Sequence, residues 1–167
     1  MPERVLIAAV ARNGAIGWQG GLPWRSRADL KRFKARTLGH PLILGRTTFE
    51  GLPGPLPGRA VIVLTRRPLL VPEGVHTVTS LAAALALATQ LDPEGPHFVG
   101  GGAAVYQLAL THQAVDTLDI TEVDVTPEAD AWLPPPDPTR WQVVEDSGWY
   151  DPADGGPRLR HLAYRSA

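Results

Sequence analysis

Leu22-Pro23-Trp24-Arg25-Ser26-Arg27-Ala28-Asp29-Leu30-Lys31-Arg32-Phe33-Lys34 is the stretch around which the rest of the chain is organised. Pro23 biases Leu22 away from helix, so the chain arrives extended. A helix is predicted over 26–38, starting at Ser26, with Leu30, Phe33 and Leu38 close to one amphipathic face. Asp29 falls on the edge of that apolar stripe or inside it, where a carboxylate must find a partner or shift its pKa. Two accounts of it stand side by side. Ser26-x-x-Asp29 has the spacing of a capping box, and an acid in the first turn complements the helix dipole. Alternatively, the carboxylate waits in an apolar pocket to hydrogen-bond the planar, amidine-like edge of a ligand.

Upstream, Val5–Ala11 is a continuous apolar run and reads as a strand buried on both faces. Arg12–Gly21 carries Gly14, Gly17, Gly20, Gly21 and Trp18 and reads as a loop, either a mobile lid or a plain surface connection. Downstream, strands are predicted at Pro41–Leu44, Ala60–Thr65, Val75–Thr79, His97–Gly100 and Thr117–Val125. Helices are predicted at Leu81–Leu91, capped by Ser80, and at Ala103–Leu110. Gly51–Gly58 and Pro134–Pro138 are too rich in proline and glycine for regular structure. Trp141–Trp149 and Leu159–Tyr164 close the chain as a hairpin. The expectation is a single α/β domain over 1–167. It has a mixed, mostly parallel sheet of about eight strands, helices on both faces and a C-terminal antiparallel hairpin.

The totals narrow the function classes. A chain of 167 residues that is 44% hydrophobic argues against disorder, and a net charge of −1 offers no field for nucleic acid. There are no cysteines, which excludes disulfides, thiolate metal sites and a cysteine nucleophile. The N-terminus lacks a signal-peptide pattern, and no run approaches the ~18 apolar residues of a membrane span. A cytoplasmic protein with no membrane partner is expected. His40, His76, His97, His112 and His161 show no metal-ligand spacing and are assigned to surface or packing roles, with no metal site. Asp116, Asp119, Glu122 and Asp124 lie on one strand with no basic context and are expected at solvated or edge positions.

Three strand-to-helix or strand-to-loop junctions have anion-binding character. Gly45-Arg46-Thr47-Thr48 opens a helix, whose free N–H groups suit a phosphate. Leu64-Thr65-Arg66-Arg67 could hold a phosphate monoester or be a solvated turn, and Gly100-Gly101-Gly102-Ala103-Ala104 permits close backbone approach. Neither G-x-G-x-x-G after the first strand nor a P-loop is present, which argues against a standard dinucleotide fold. Ligands nevertheless collect at the carboxyl ends of strands in such sheets.

Ile16-Gly17-x4-Leu22-Pro23-Trp24, followed by Asp29-Leu30-x2-Phe33-Lys34, resembles the N-terminal signature of dihydrofolate reductases. The likeness extends along nearly the whole chain and includes an intact Pro55-Leu56-Pro57-Gly58-Arg59. It implies a monomeric enzyme that uses NADPH to reduce 7,8-dihydrofolate to tetrahydrofolate, with hydride transfer to C6 and protonation of N5. It implies that Asp29 is the acid in the pocket, with Leu22 and Trp24 beside it and Thr121 hydrogen-bonded to Asp29 and the pterin amino group. Ile7, Leu30, Phe33, Leu52 and Leu56 would line the substrate pocket, and Arg59 would take the α-carboxylate of the glutamate tail. For NADPH the resemblance implies Ala9, Ile16, Gly45, Arg46, Thr47, Thr48, Leu64, Thr65, Arg66, Gly101, Gly102, Ala103 and Tyr106. Thr65 and Arg66 would meet the 2′-phosphate, and Gly101-Gly102 would be joined by a cis peptide.

Two departures stand out. Gly100 replaces the usual Ile, Val or Ala and is expected to loosen the pocket wall, and Ala104 replaces a basic residue. The rival readings are a riboflavin-pathway pyrimidine reductase of the same architecture and a non-catalytic NADPH- or pterin-binding module. The former lacks the Pro-Trp…Asp and Pro-Leu-Pro-Gly-Arg pair.

Overall fold

Val5–Ala11 is apolar at every position because the strand it forms, β1 (Arg4–Ala11), is covered on both sides. The computed structural model describes residues 2–167. After β1 come β2 (Ala15–Gly17), α1 (Arg27–Thr37), β3 (Pro41–Gly45), α2 (Arg46–Glu50), β4 (Ala60–Leu64) and β5 (His76–Val78). The chain continues through α3 (Leu81–Leu91), β6 (His97–Val99), α4 (Ala103–Thr111), β7 (Thr117–Val123), β8 (Ala131–Trp132), β9 (Trp141–Asp146) and β10 (Leu159–Ser166).

Eight of these strands make one sheet in the order β5-β4-β3-β6-β1-β7-β10-β9. The first six run parallel, and β10 pairs antiparallel with both β7 and β9. This is the expected mixed α/β sheet with a C-terminal antiparallel hairpin.

The two-residue period of the strands sorts side chains into two layers. Leu6, Ala8, Ile43, Ile62, Val99, Leu118 and Ile120 point to the layer that α3 and α4 cover. Val5, Ile7, Leu42, Leu44, Val61, Val63 and Phe98 point to the other, where Phe33 of α1 and Phe49 of α2 pack. Ile7 and Ala9 of β1 are registered with Asp119 and Thr121 of β7. Since Leu118 and Ile120 face α3 and α4, Asp119 and Thr121 face α1. Their register partner His161, opposite Thr121 on β10, does the same.

Three expectations need correction here. The 12–21 segment is not an open loop. It contains β2, which pairs with β8 in a second, two-stranded sheet. Two- and three-residue strands carry no period to read, which is why neither was visible. The strand expected over 141–149 stops at Asp146. Gly100 does not loosen the wall: a Cβ there would meet Leu42 Cδ1 at 2.7 Å and Leu44 Cδ2 at 3.1 Å, so two core leucines fill the space.

Candidate active site

Helix α1 turns an unexpected face inward. Its buried residues are Asp29 and Thr37, while Leu30 is 57% and Leu38 49% exposed. The predicted apolar stripe is thus displaced, and the inward stripe is Asp29-Arg32-Phe33-Arg36-Thr37, at helical spacing. Leu38 lies against Gly58, where a Cβ would meet its Cδ1 at 2.7 Å. What makes a polar stripe tolerable is Asp119. Its carboxylate, 4% exposed, sits 2.8 Å from Arg36 Nε and 2.9 Å from Arg32 Nη1. The expectation that this acid lacked basic context is overturned. Asp124 likewise pairs with Arg12 and Arg158, and Glu122 with Arg160.

The capping account of Asp29 is met in the backbone. Ser26 caps the helix, its Oγ accepting from the Asp29 backbone N–H at 3.1 Å. Yet the carboxylate itself accepts none of the hydrogen bonds formed among the described residues, although Asp29 is only 7% exposed. Burial pushes its carboxyl up to about 6, Arg32 pulls it down, and Asp119 adds to the rise.

Around it the expected neighbours take these places. Trp24 is half-buried, and its buried indole Nε1 has no hydrogen-bond partner among the described residues. Leu22 is 46% exposed, and Phe33, Leu52 and Leu56 belong to the layer on this side of the sheet. Thr121 departs from expectation. Its hydroxyl lies 2.9 Å from His161 Nδ1, and no bond to Asp29 is formed. His161 Nε2 is in turn hydrogen-bonded to Tyr150 Oη. A histidine expected only on the surface or in packing is therefore tied to the site. Its partner is distant in sequence, so no local pattern could have shown it.

Arg59 is held in place by three contacts. Nε donates to Thr37 Oγ1 at 2.8 Å, Nη1 to the Pro57 carbonyl at 2.8 Å and Nη2 to the Lys34 carbonyl at 3.4 Å. Burial lowers its pKa.

The segment before Leu22 is pinned over this region. Trp18 and Gly21 exchange backbone hydrogen bonds at 2.9 and 3.0 Å. Asp130 grips the turn, accepting from Gln19 N at 2.9 Å and donating its own N–H to the Gly17 carbonyl at 3.0 Å. On the opposite side the Gly20 carbonyl lies so close to Gly51 that no Cβ fits there. Asp130 was not anticipated, and a lone acid in an irregular stretch gives no signal by itself.

The strand-end junctions converge because their strands are parallel and adjacent. Gly45 N donates to the Gly101 carbonyl at 2.7 Å, and Gly100 N to the Ile43 carbonyl at 2.9 Å. The Gly101–Gly102 peptide is cis, as expected, and so is Gly95–Pro96, which was not. A Cβ at Gly102 would meet Thr48 Oγ1 at 2.8 Å, so the threonine hydroxyl packs directly on the glycine backbone. Tyr106, 5% exposed, donates from its hydroxyl to the Ile7 carbonyl at 2.7 Å, tying α4 to β1 beside this groove. Ile16 packs in the same core cluster as Tyr106, with Leu64 and Ala103 against that cluster. Arg46 pairs with Glu50 at 2.9 Å, and Thr47 is exposed. Thr65 spends its hydroxyl on a local turn, donating to the Arg67 carbonyl at 2.9 Å, and leaves Arg66 exposed.

An acid sheltered on α1 and a glycine junction at neighbouring strand ends are the two features that this α/β fold builds. Comparison with known proteins makes the class specific. The dihydrofolate reductase family model matches residues 4–155. The chain is 45% identical over 146 residues to a dihydrofolate reductase of Neisseria meningitidis, covering 87% of each. It is 44% identical over 142 residues to the type 3 dihydrofolate reductase of Salmonella typhimurium, covering 85% of each. It also superposes on a solved dihydrofolate reductase from Enterococcus faecalis complexed with NADP(H) and RAB-propyl. That match has a TM-score of 0.88 and 34% identity, over 98% of this chain and 96% of that one. The chain belongs to the dihydrofolate reductase family.

Proposed function

We propose that the residues gathered around Asp29 carry out the NADPH-dependent reduction of 7,8-dihydrofolate to tetrahydrofolate. The observation that carries this reading is Asp29, 7% exposed, whose carboxylate meets no donor among the described residues. The glycine junction suits the cofactor: the Thr48 hydroxyl packs on the bare Gly102 backbone, and Gly45 N donates to the Gly101 carbonyl across adjacent strand ends. Arg46, Thr47 and Thr48 with Gly101, Gly102 and Ala103 would hold its phosphates and ribose. Exposed Arg66 would take a 2′-phosphate, and Ala9, Ile16, Leu64 and Tyr106 would border the groove.

NADPH, when bound, supplies the hydride. The protein supplies orientation, charge and exclusion of water. Ionised Asp29 accepts from N3–H and the 2-amino group of the pterin, an edge-on pair of charge-assisted bonds. Negative charge at that edge makes N5 more basic. A carboxylate clamping the far edge cannot reach N5, so the proton arrives through water. Ile7, Phe33, Leu52 and Leu56 would enclose the ring and the aminobenzoyl group, with exposed Leu30 at the rim, and Leu22 and Trp24 would close the cleft above. Arg59, pre-set by Thr37, Pro57 and Lys34, receives the tail carboxylate.

The whole chain is read as one working unit, a cytoplasmic monomer. Among the described residues no helix is long and apolar enough to cross a membrane. The direct test follows NADPH absorbance on adding dihydrofolate, with a ribosylamino-pyrimidine as control. Rapid oxidation with dihydrofolate alone is expected. Oxidation with the pyrimidine alone, or with neither, contradicts the reading.

A further inference from the structure

Thr121 is 2% exposed, and among the described residues its hydroxyl has one hydrogen-bond partner, His161 Nδ1 at 2.9 Å. A hydroxyl has a single hydrogen, and burying it without an acceptor costs about 1–3 kcal/mol. That count decides which way the chain of bonds runs. If His161 carried its proton on Nδ1, that N–H would donate to Thr121, and the buried Thr121 hydrogen would have nowhere to go. If the proton is on Nε2, every group is satisfied. Thr121 donates to Nδ1, and Nε2–H donates to Tyr150 Oη. Tyr150, 37% exposed, then gives its own hydrogen to solvent.

The consequence falls on the site. With its hydrogen spent on the imidazole, the Thr121 oxygen has only lone pairs left to offer. Thr121 lies on the face of the sheet that α1 covers, and α1 is the helix that carries Asp29. We propose that His161, backed by Tyr150, is a positioning residue for ligand recognition: it fixes Thr121 as an acceptor and so selects a heterocycle carrying an exocyclic amino group. An amino group has two hydrogens, one for ionised Asp29 and one for Thr121. A ring with a carbonyl or a bare carbon at that position leaves the threonine oxygen unmatched. This deepens the functional reading above and rests on it.

The surroundings keep the imidazole in the required neutral form. His161 lines a cleft of about 350 Å³ together with Arg32 and Arg36 of α1, Asp119 of β7, Glu145 of β9, Arg165 of its own strand and Glu3 ahead of β1. Burial lowers the His161 pKa, Arg32 lowers it further, and Asp119 opposes them.

Two measurements test the proposal. The first is ¹⁵N NMR of histidine-labelled wild-type protein at about pH 7.5. A hydrogen-bearing Nε2 and an unprotonated Nδ1 are expected, and the reverse tautomer overturns the proposal without any ligand or variant. The second compares affinities of the NADPH-saturated protein for a 2,4-diaminopteridine and its 2-desamino counterpart. His161→Phe is expected to cut the preference for the amino compound about tenfold, the loss of one matched hydrogen bond. Thr121→Val should do the same, and the double variant should lose no more. His161→Asn, which restores an acceptor oxygen near Nδ1, should recover most of the preference. Full preference retained in His161→Phe overturns this proposal and leaves the reductase reading intact. Wild-type protein indifferent to the amino group overturns both.

Discussion

Arg32 Nη1 stands 2.9 Å from Asp119 Oδ1, an ion pair without hydrogen-bond alignment, on the helical turn that follows Asp29. The two act on Asp29 in opposite senses, Arg32 lowering its pKa and Asp119 raising it. Asp119→Asn removes the raising partner and frees the guanidinium to favour the ionised form. The pH profile of dihydrofolate reduction is expected to move to lower pH. The two guanidinium groups, 29% and 42% exposed, lose a partner but keep access to water, so stability should fall by about 1 kcal/mol. Urea unfolding and a pH–rate profile check both, and an unmoved profile contradicts the coupling.

Burial of Asp29 has a thermodynamic sign. Its folded-state pKa of about 6 lies above the ordinary 3.8, so the native state binds the proton more tightly than the unfolded chain. Stability from this group is therefore greatest below the ordinary value and falls as pH rises through the window from there to about 6. The loss totals about 3 kcal/mol. Asp29→Asn is expected to melt above wild type near neutral pH, with the gap closing towards about pH 3.5. A gap that does not depend on pH contradicts this.

Arg59 is pre-positioned by Thr37 and two backbone carbonyls. Arg59→Ala should raise KM for folates bearing a glutamate tail by about 100-fold, the scale of a lost charge-assisted pair, while sparing a tail-less pterin. Steady-state kinetics on both substrates checks it, and equal effects remove Arg59 from its role.

Gly100 is packed against Leu42 and Leu44, both inside the core. Gly100→Ala should destabilise the fold by about 1–3 kcal/mol, because leucines without free volume must shift. A neutral or stabilising effect in urea unfolding would show that the space is open after all.

Much of this was readable in the chain because its signals are local. Val5–Ala11 has no polar position, so a doubly covered strand follows, and Ser80 and Ser26 mark their helices by their own side chains. The glycine junction at 100–102 and the Pro55–Arg59 motif were equally visible. What could not be read depends on partners far apart in sequence. Leu30 and Leu38 suggested an apolar stripe, but Asp119 on a distant strand draws Arg32 and Arg36 inward and rotates the helix's buried face. Pairings such as Thr121 with His161, or Gln19 with Asp130, arise only once β7, β10 and β8 are assembled.

The account turns on a single buried carboxylate that raises the basicity of a ring nitrogen it never touches. Single-turnover NADPH oxidation by Asp29→Asn, followed from about pH 5 to pH 8, measures this most directly. At neutral pH, hydride transfer to dihydrofolate is expected to drop by orders of magnitude. It should recover in part at acid pH, where protons from solvent do the work of the missing charge. Wild-type rates for the variant at about pH 7 would contradict the mechanism.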